Sequence, residues 1–192
     1  MKCLLHRLAA FILIAAISSI YSAYSQGTAT AVKGAPNLSG LHDFDFLVGE
    51  WCVHHRVMRD GSTAKWEEFD GTASNRPLMN GWANVEDHTF NRMTGVSHGV
   101  ALRAYDAQTA QWAIWWIDSR VPHGPVDPPV KGRFENGTGT FYSEYVQEGR
   151  PMRVRFKWSL ITAKSARWEQ AVSSDSGKTW ETNWIMEFQR AQ

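Results

Sequence analysis

Cysteine is almost missing from this 192-residue chain, which contains only Cys3 and Cys52. Cys3 lies in an N-terminal stretch that begins with Lys2 and Arg7, continues through an apolar core at 8–20 and ends in small residues. This order is typical of a secretory signal peptide, and its core is shorter than the roughly 20 apolar residues that span a bilayer. Once the stretch is removed, Cys52 has no partner, so no internal disulfide can form.

The predicted leader covers residues 1–25, because Ala23-Tyr24-Ser25 forms the small-x-small pattern of a cleavage site. A site near Ala31 is also compatible with the sequence. No run of small residues leads into a cysteine after the apolar core, so a lipoprotein is not indicated. We therefore expect an exported mature chain, periplasmic or secreted, with no membrane span.

Runs of basic residues are also missing. Removal of the leader leaves 18 basic against 19 acidic residues, a net charge near −1. A near-neutral chain without clustered Lys and Arg lacks the electrostatic footprint of a nucleic-acid-binding protein, so no such partner is expected. The mature chain, about 160 residues long, is sufficient for one domain with a sizeable core, and it leaves the oligomeric state open.

Helical periodicity is absent over any helix-length segment, and at most a short turn at 38–46 is helical. Apolar and polar residues alternate instead, most clearly at 151–160 and 180–189, as in strands with one buried face. Asp-Gly or Asn-Gly pairs at 60–61, 80–81 and 136–137 favour tight hairpin turns. These signals predict ten strands, near 48–58, 65–75, 82–90, 97–105, 111–118, 130–135, 138–147, 151–160, 165–173 and 180–189.

Short antiparallel strands joined in order must hide their edges, and closing the sheet removes those edges. We therefore predict an all-β fold, an antiparallel up-and-down meander of about ten strands closed into a barrel over residues 43–190. Residues 26–42, rich in Ala, Thr, Gly and Ser, are predicted to form a flexible lead-in. A two-sheet sandwich is the alternative, but it usually needs several long crossovers.

The one long connection, DSRVPHGPVDPPVKG at 118–132, holds four of the seven prolines. Proline cannot donate to a strand ladder, so this segment is a loop. It is either a rigid surface crossing or a lid at the mouth of the barrel.

The stretch DFDFLVGEW at 43–51 places Gly49-Glu50-Trp51 at the head of the first predicted strand. With the meander that follows, it resembles the calycin superfamily of lipocalins, fatty-acid-binding proteins and nitrobindins. The resemblance implies that Gly49 permits a tight entry, that Trp51 closes the barrel floor, and that Arg190 covers the indole through a cation–π contact. A closed meander of eight to ten strands also encloses a cavity about large enough for one small ligand.

More closely, four segments are similar to the bacterial family called domain of unknown function 1579, over roughly residues 41 to 190. They are DFDFLVGEW, WEEFDGTASNRPLMNG, DPPVKGRFENGTGTFY and ARWEQAVSSDSGKTWETNWIMEF. The similarity implies the calycin-type fold and no particular activity. Nitrobindin-like haem binding needs an axial histidine from a late strand, but no histidine follows His123, so neither haem nor another cofactor is expected.

The sequence lacks a Gly-x-Ser-x-Gly elbow, a glycine-rich phosphate loop and an evident base for Cys52, so nucleophilic catalysis is not indicated. His54 and His55 are neighbours in a strand and point to opposite faces, so they cannot share a metal, and no metal site is expected. Glu86 and His88 share a strand face, which suits a general-base pair, half of a metal site, or a solvated outer face. An isomerase or hydrolase without cofactor, using Glu86 or His88 as base, therefore remains an alternative function.

Tryptophan is in excess: ten residues exceed what a core of this size needs, so some are expected to line a cavity. Asp175, Gly177 and Trp180 match the Asp-box spacing seen in sialidases, which is expected to stabilise a hairpin locally. Binding of a small, partly apolar or aromatic ligand is the favoured function, and a packed structural or partner-binding module is a further alternative. The expected ligand-binding residues, chosen by alternation on apolar faces, are His55, Glu86, His88, Trp116, Trp158, Gln170 and Trp184.

The leader generates the first testable prediction. N-terminal sequencing of the exported protein should begin near Gln26 and lack Lys2 and Cys3. A processed protein that still starts at Met1 would contradict the assignment.

Overall fold

A computed structural model describes residues 35–58 and 65–192, where ten antiparallel strands form a closed barrel in which each strand pairs with the next and β1 pairs with β10. The all-β meander predicted from the sequence is therefore confirmed. The strands are β1 Gly49–Met58, β2 Trp66–Leu78, β3 Ala83–Arg92, β4 Gly95–Asp106, β5 Gln111–Asp118, β6 Val130–Glu135, β7 Thr138–Gln147, β8 Arg150–Ser159, β9 Ser165–Ser173 and β10 Glu181–Arg190. The predicted leader at 1–25 and the Asp60-Gly61 turn lie outside the described residues.

The largest difference from the predicted strand boundaries is in β2, which continues to Leu78 instead of ending near residue 75. Leu78 pairs with Ala83 across a one-turn 3-10 helix, Met79–Gly81. Asn80 and Gly81 have φ values of 53° and 90°, which suit asparagine and glycine. The predicted turn at 80–81 is therefore present, and β2 continues until the residue directly before the 3-10 helix that contains this turn.

The hairpin between β6 and β7 turns at Asn136 and Gly137, with φ values of 51° and 76°. Two successive positive φ angles match the right-handed twist of the flanking strands, and Asn-Gly adopts them at low cost. The next hairpin uses Glu148 and Gly149 with φ values of 50° and 76°, a turn that the sequence reading did not single out.

The floor of the barrel is closed by a short 3-10 helix, Asp45–Leu47, and by Trp51. The indole N–H of Trp51 donates a 2.7 Å hydrogen bond to the Leu47 carbonyl, and the Arg190 guanidinium lies 3.9 Å above the indole ring. Gly49 has φ +115°, and a Cβ there would lie 2.8 Å from Nη1 of Arg190. These contacts give Gly49, Trp51 and Arg190 the places that the calycin resemblance implies.

The end of the predicted lead-in is attached to the barrel. Asn37 donates its backbone N–H to the Ala107 carbonyl and accepts a 2.9 Å hydrogen bond from the Tyr105 hydroxyl. The Gly40 carbonyl accepts a 2.8 Å hydrogen bond from the Trp112 indole. The last residues of the predicted lead-in therefore contact the barrel, and composition alone does not reveal backbone groups that accept bonds from distant tyrosine and tryptophan side chains.

Aromatic packing fills the barrel directly above the floor. Phe44 is 1% exposed, and its ring lies 5.1 Å from Trp112 and 5.0 Å from Phe134, both edge to face. Trp158 and Phe188 continue this packing with ring centroids 5.2 Å apart. This end of the barrel is a dense core, and any internal space must lie towards the other end.

The Asp-box segment, 173–180, forms a local hairpin structure. Asp175 accepts hydrogen bonds from the backbone N–H groups of Lys178 and Thr179, and the Trp180 indole donates to the Gly177 carbonyl at 3.0 Å. The hydrogen bond from the Thr179 hydroxyl contributes most to holding the pKa of Asp175 below its usual value, and the hydrogen bonds from the backbone amides add to this effect. A register shift between Thr182 and Trp184 lies between this segment and the rest of β10.

Among the residues that the structure describes, no helix has the length and apolar character needed to cross a membrane.

The packing of Trp51 generates a stability prediction. Trp51→Ala should lower the free energy of unfolding by about 3–5 kcal/mol, because it empties a large aromatic site in a core. Denaturant unfolding measures this loss, and Trp82→Ala serves as a control because Trp82 is 36% exposed. A loss below about 1 kcal/mol for Trp51→Ala would show that the residue is peripheral.

Candidate functional site

A cavity of about 360 Å³ lies inside the barrel. Its wall contains five aromatic side chains in which each ring contacts the next, from Phe156 through Trp168, Trp184 and Phe90 to Trp116. The successive ring centroids are 4.9, 5.7, 5.9 and 6.0 Å apart. We call this set the aromatic arc. It lines the cavity from β8 across β9, β10 and β3 to β5.

Close approach of Trp116 to β4 depends on a glycine. A Cβ at Gly99 would lie 2.1 Å from the six-membered ring of Trp116, far inside contact distance. Glycine at this position therefore lets the indole lie against the backbone of β4 and keeps it at the cavity wall.

The cavity reaches the surface at a gap in the barrel wall. In the described ladder β5 pairs with β6 only over Trp112–Ile114, although β5 continues to Asp118. Likewise, β7 pairs with β6 only as far as Tyr142, although it continues to Gln147. The C-terminal ends of β5 and β7 therefore face each other without a strand between them.

Residues 119–129, the proline-rich loop, span this gap. Asp127 and Pro128 of the loop line the cavity together with Glu144 and Tyr145 of β7. Pro128 and Pro129 have no backbone N–H and cannot extend β6 by ladder hydrogen bonds. The loop therefore borders the mouth of the cavity, the location that a lid requires.

A buried ion pair forms part of the cavity wall. Oε2 of Glu86 accepts a 2.8 Å hydrogen bond from the Arg103 guanidinium, which also donates to Oδ1 of Asn84 at 3.0 Å. The guanidinium carbon lies 5.1 Å from the Phe44 ring and 5.8 Å from the Trp158 ring. Arg103 is 3% exposed. Its buried charge is neutralised by one carboxylate, and aromatic rings surround it.

Two histidines connect this ion pair to the aromatic arc. The Trp184 indole lies 3.3 Å from Nδ1 of His55, Nε2 of His55 lies 3.1 Å from Nε2 of His88, and Nδ1 of His88 lies 3.0 Å from Oε1 of Glu86. An indole N–H only donates and a carboxylate only accepts, so the direction of every bond in the chain follows. Trp184 donates to His55, His55 donates to His88, and His88 donates to Glu86.

The surroundings decide the charge of Glu86 and of His55 in this chain. Burial by itself raises the pKa of Glu86, but the charge of Arg103 and the hydrogen bond from His88 outweigh it and lower that pKa to about 2. Burial, followed by repulsion from His88 and Arg92, lowers the pKa of His55 to about 2. Near neutral pH, Glu86 is therefore ionised and His55 is neutral, in agreement with the hydrogen-bond directions.

Five of the seven predicted ligand-binding residues line the cavity: Glu86, Trp116, Trp158, Gln170 and Trp184. His55 and His88 do not line it, and this part of the prediction is corrected. Both are 0% exposed and stack flat on phenylalanines, His55 on Phe69 at 4.6 Å and His88 on Phe90 at 4.5 Å. Alternation placed them correctly on the inner face, but it carries no information about which inner residues others cover.

Arg103 is the main cavity residue that the sequence reading missed. It follows Ala101 and precedes Tyr105 at a spacing of two, and both of these neighbours are buried. A charged residue on an apolar strand face indicates a buried carboxylate that neutralises it, so this pattern could have predicted the ion pair. Phe90, Trp168 and Asn183 line the cavity as well.

Within residues 35–58 and 65–192 there is no group of three or more His, Cys, Asp or Glu side chains that could hold a metal ion. Cys52 is exposed, on the strand face opposite Trp51. The arrangement offers aromatic surface and one internal salt bridge to a ligand.

The family model described as protein of unknown function DUF1579 matches residues 42–190. The chain belongs to this family. No curated protein sequence matches it.

Two solved structures resemble this DUF1579 barrel. Rv2717c of M. tuberculosis has a TM-score of 0.55 at 7% identity, with 81% of this chain and 99% of that one covered. The S-type phycobiliprotein lyase CPES of Guillardia theta has a TM-score of 0.51 at 10% identity, with 78% of this chain and 90% of that one covered. At such low identity the likeness concerns the fold alone.

The neutral state of His55 generates a pH-dependent prediction. The unfolded chain protonates this histidine near pH 6.5, whereas the folded chain keeps it neutral down to about pH 2. The unfolded state therefore binds more protons below pH 6.5, and the free energy of unfolding falls as the pH falls. His55→Phe keeps a ring on Phe69 and should remove this contribution, about 1.4 kcal/mol per pH unit between pH 6 and about 5.

Urea unfolding at several pH values measures the two slopes. His54→Gln is the matched control, because His54 is the next residue on the outer face, bonded to Asp70 at 2.8 Å. It should retain most of the wild-type slope. Equal slopes in wild type and His55→Phe would show that His55 is not held neutral.

Proposed function

We propose that this protein binds a small, mostly apolar molecule inside its barrel. The supporting observation is the cavity of about 360 Å³ lined by the aromatic arc. Ligand pockets start near 300 Å³ and are lined mainly by apolar and aromatic side chains with a few polar groups. A barrel whose only task was structural would be expected to fill this volume with side chains, as it does around Phe44.

The size of the arc supports binding energetically. Each aromatic side chain that a ligand covers contributes roughly 1–3 kcal/mol through burial and ring contact. Trp184 and Trp116 both contact Phe90, so a ligand that lies along the arc can contact several rings at once. Micromolar affinity needs about 8 kcal/mol, which three or four such contacts approach.

The alternative of a cofactor-free isomerase or hydrolase is less well supported. Its base would be Glu86 or His88. Both Glu86 oxygens already accept hydrogen bonds, and its lowered pKa makes it a weak base near neutral pH. His88 is 0% exposed, with both ring nitrogens in the hydrogen-bond chain.

We also propose that binding takes place outside the cytoplasm. This rests on the sequence at 1–25, whose charged head, apolar core and small-residue tail are typical of an export signal.

The binding proposal is tested with N-phenyl-1-naphthylamine, a neutral aromatic probe whose emission rises in apolar surroundings, added to the processed protein. We expect saturable binding, and Trp184→Ala should weaken it by roughly five- to 150-fold, because one ring contact worth about 1–3 kcal/mol is lost. Fluorescence titration gives the two dissociation constants. Trp82→Ala is the control and should bind as the wild type does, since Trp82 is an exposed residue packed beside Tyr105.

Absence of saturable binding by this probe and by aliphatic probes of similar volume would overturn the proposal in favour of a structural module. An unchanged affinity in Trp184→Ala would show that binding occurs elsewhere on the protein.

A further inference from the structure

Two hydrogen-bond donors in the cavity wall have no acceptor in the protein. They are Nε of Arg103 and Nε1 of Trp158, and within residues 35–58 and 65–192 neither has a hydrogen-bond partner. Both side chains are almost fully buried, and both line the cavity. A buried donor without an acceptor costs free energy, so an acceptor on a molecule in the cavity would stabilise this part of the wall.

The two donors lie where the cavity meets the packed floor. The guanidinium carbon of Arg103 lies 5.8 Å from the centre of the Trp158 ring. Both side chains also contact Phe44, which belongs to the floor packing, at 5.1 Å from the guanidinium carbon and 6.2 Å from the Trp158 ring. A polar group at this closed end of the cavity therefore lies beside both donors.

The acceptors at the closed end are already used. Oε1 of Glu86 accepts from His88 and Oε2 of Glu86 accepts from Arg103. Oδ1 of Asn84 accepts from Arg103 and, at 3.4 Å, from Asn75. The unpaired groups here are donors, so the ligand group that complements them is an acceptor.

Charge separates a neutral acceptor from a carboxylate. Arg103 and Glu86 form a 2.8 Å ion pair in which both side chains are about 3% exposed, so the buried charges already cancel. A ligand carboxylate would bring a second negative charge to this pair, and its burial would not be compensated by a second cation. A carbonyl oxygen accepts two hydrogen bonds without adding a charge, and it therefore fits this end of the cavity better.

We propose that the ligand carries a neutral carbonyl group, as in a ketone, ester or amide, on an apolar or aromatic body. The carbonyl oxygen lies at the closed end and accepts hydrogen bonds from Nε of Arg103 and Nε1 of Trp158. The body lies along the aromatic arc. This proposal rests on the proposed binding function and specifies the ligand class.

Three naphthalene probes of matched shape test the ligand class. They are 2-acetylnaphthalene, 2-isopropenylnaphthalene, in which a methylene group replaces the carbonyl oxygen, and 2-naphthoate, in which a charged oxygen replaces the methyl group. Equilibrium dialysis against the processed protein should show the ketone binding about five- to 150-fold more tightly than the alkene, which leaves the buried donors unpaired. The ketone should also bind more tightly than the carboxylate.

The variant Trp158→Phe keeps an aromatic ring and removes one of the two donors. It should reduce the preference for the ketone over the alkene by about two- to twelve-fold, the contribution of one neutral hydrogen bond. Trp184→Phe is the matched control, because Trp184 also lines the cavity but its indole N–H already bonds His55 at 3.3 Å. It should change the affinities of ketone and alkene by the same factor.

Infrared spectroscopy of the wild-type complex gives a readout that does not depend on the stability of a variant. With carbon-13 at the carbonyl of 2-acetylnaphthalene, the stretching band of the bound ketone should lie at lower wavenumber than in hexane, because hydrogen bonds weaken the C=O bond. A band at the hexane position would show that the carbonyl accepts no hydrogen bond in the cavity and would overturn the proposal.

If the alkene or the carboxylate binds as tightly as the ketone, while N-phenyl-1-naphthylamine or any of the three probes binds saturably, the inference on ligand class is overturned and ligand binding itself stands. If Trp158→Phe retains the full preference for the ketone, the position assigned to the carbonyl is wrong. If neither N-phenyl-1-naphthylamine nor any of the three probes binds saturably, the proposed binding function fails as well.

Discussion

The buried ion pair between Glu86 and Arg103 is the interaction on which the interior of this barrel depends. A guanidinium at 3% exposure is stable only when a carboxylate neutralises it, and removal of either partner leaves a buried charge uncompensated. The pair stands between the two regions of the barrel. Arg103 packs over Phe44 on the floor side, and Glu86 anchors the histidine chain that ends at Trp184 on the cavity side.

The floor side of the barrel is packed and the other side contains a cavity, because the large side chains and the strand lengths differ between them. On the floor side, the segment before β1 enters the barrel and fills it with Phe44 and Leu47, both almost fully buried. On the other side, β6 is only six residues long, so its neighbours β5 and β7 continue beyond it without a strand between them. A closed sheet with one short strand therefore holds both a packed core and a cavity with a lateral opening.

The hydrogen-bond chain from Trp184 to Glu86 makes the wall of this cavity rigid and leaves no side chain of the chain free to act as a base. Each polar group on it is matched, so neither histidine offers a free nitrogen and the carboxylate is a poor base. Fully satisfied buried networks of this kind specify a single arrangement of side chains. They suit a wall against which a ligand packs better than a site that must exchange protons, which is why binding is the better-supported function.

The sequence by itself was sufficient for the order of the strands, for their boundaries within a few residues and for the barrel closure. These depend on local signals: alternation in strands such as β8, and Asn-Gly at 136–137, whose positive φ angles are set by the residues themselves. It also indicated five cavity residues, because alternation identifies the inner face of a strand. Only the tertiary structure decided that His55 and His88 lie behind the wall, that Arg103 has Glu86 as its counter-ion, and that Asp127 reaches the mouth. Each of these depends on the register between strands far apart in the chain and on the depth of a side chain within the barrel, and neither register nor depth is contained in the periodicity of a single strand.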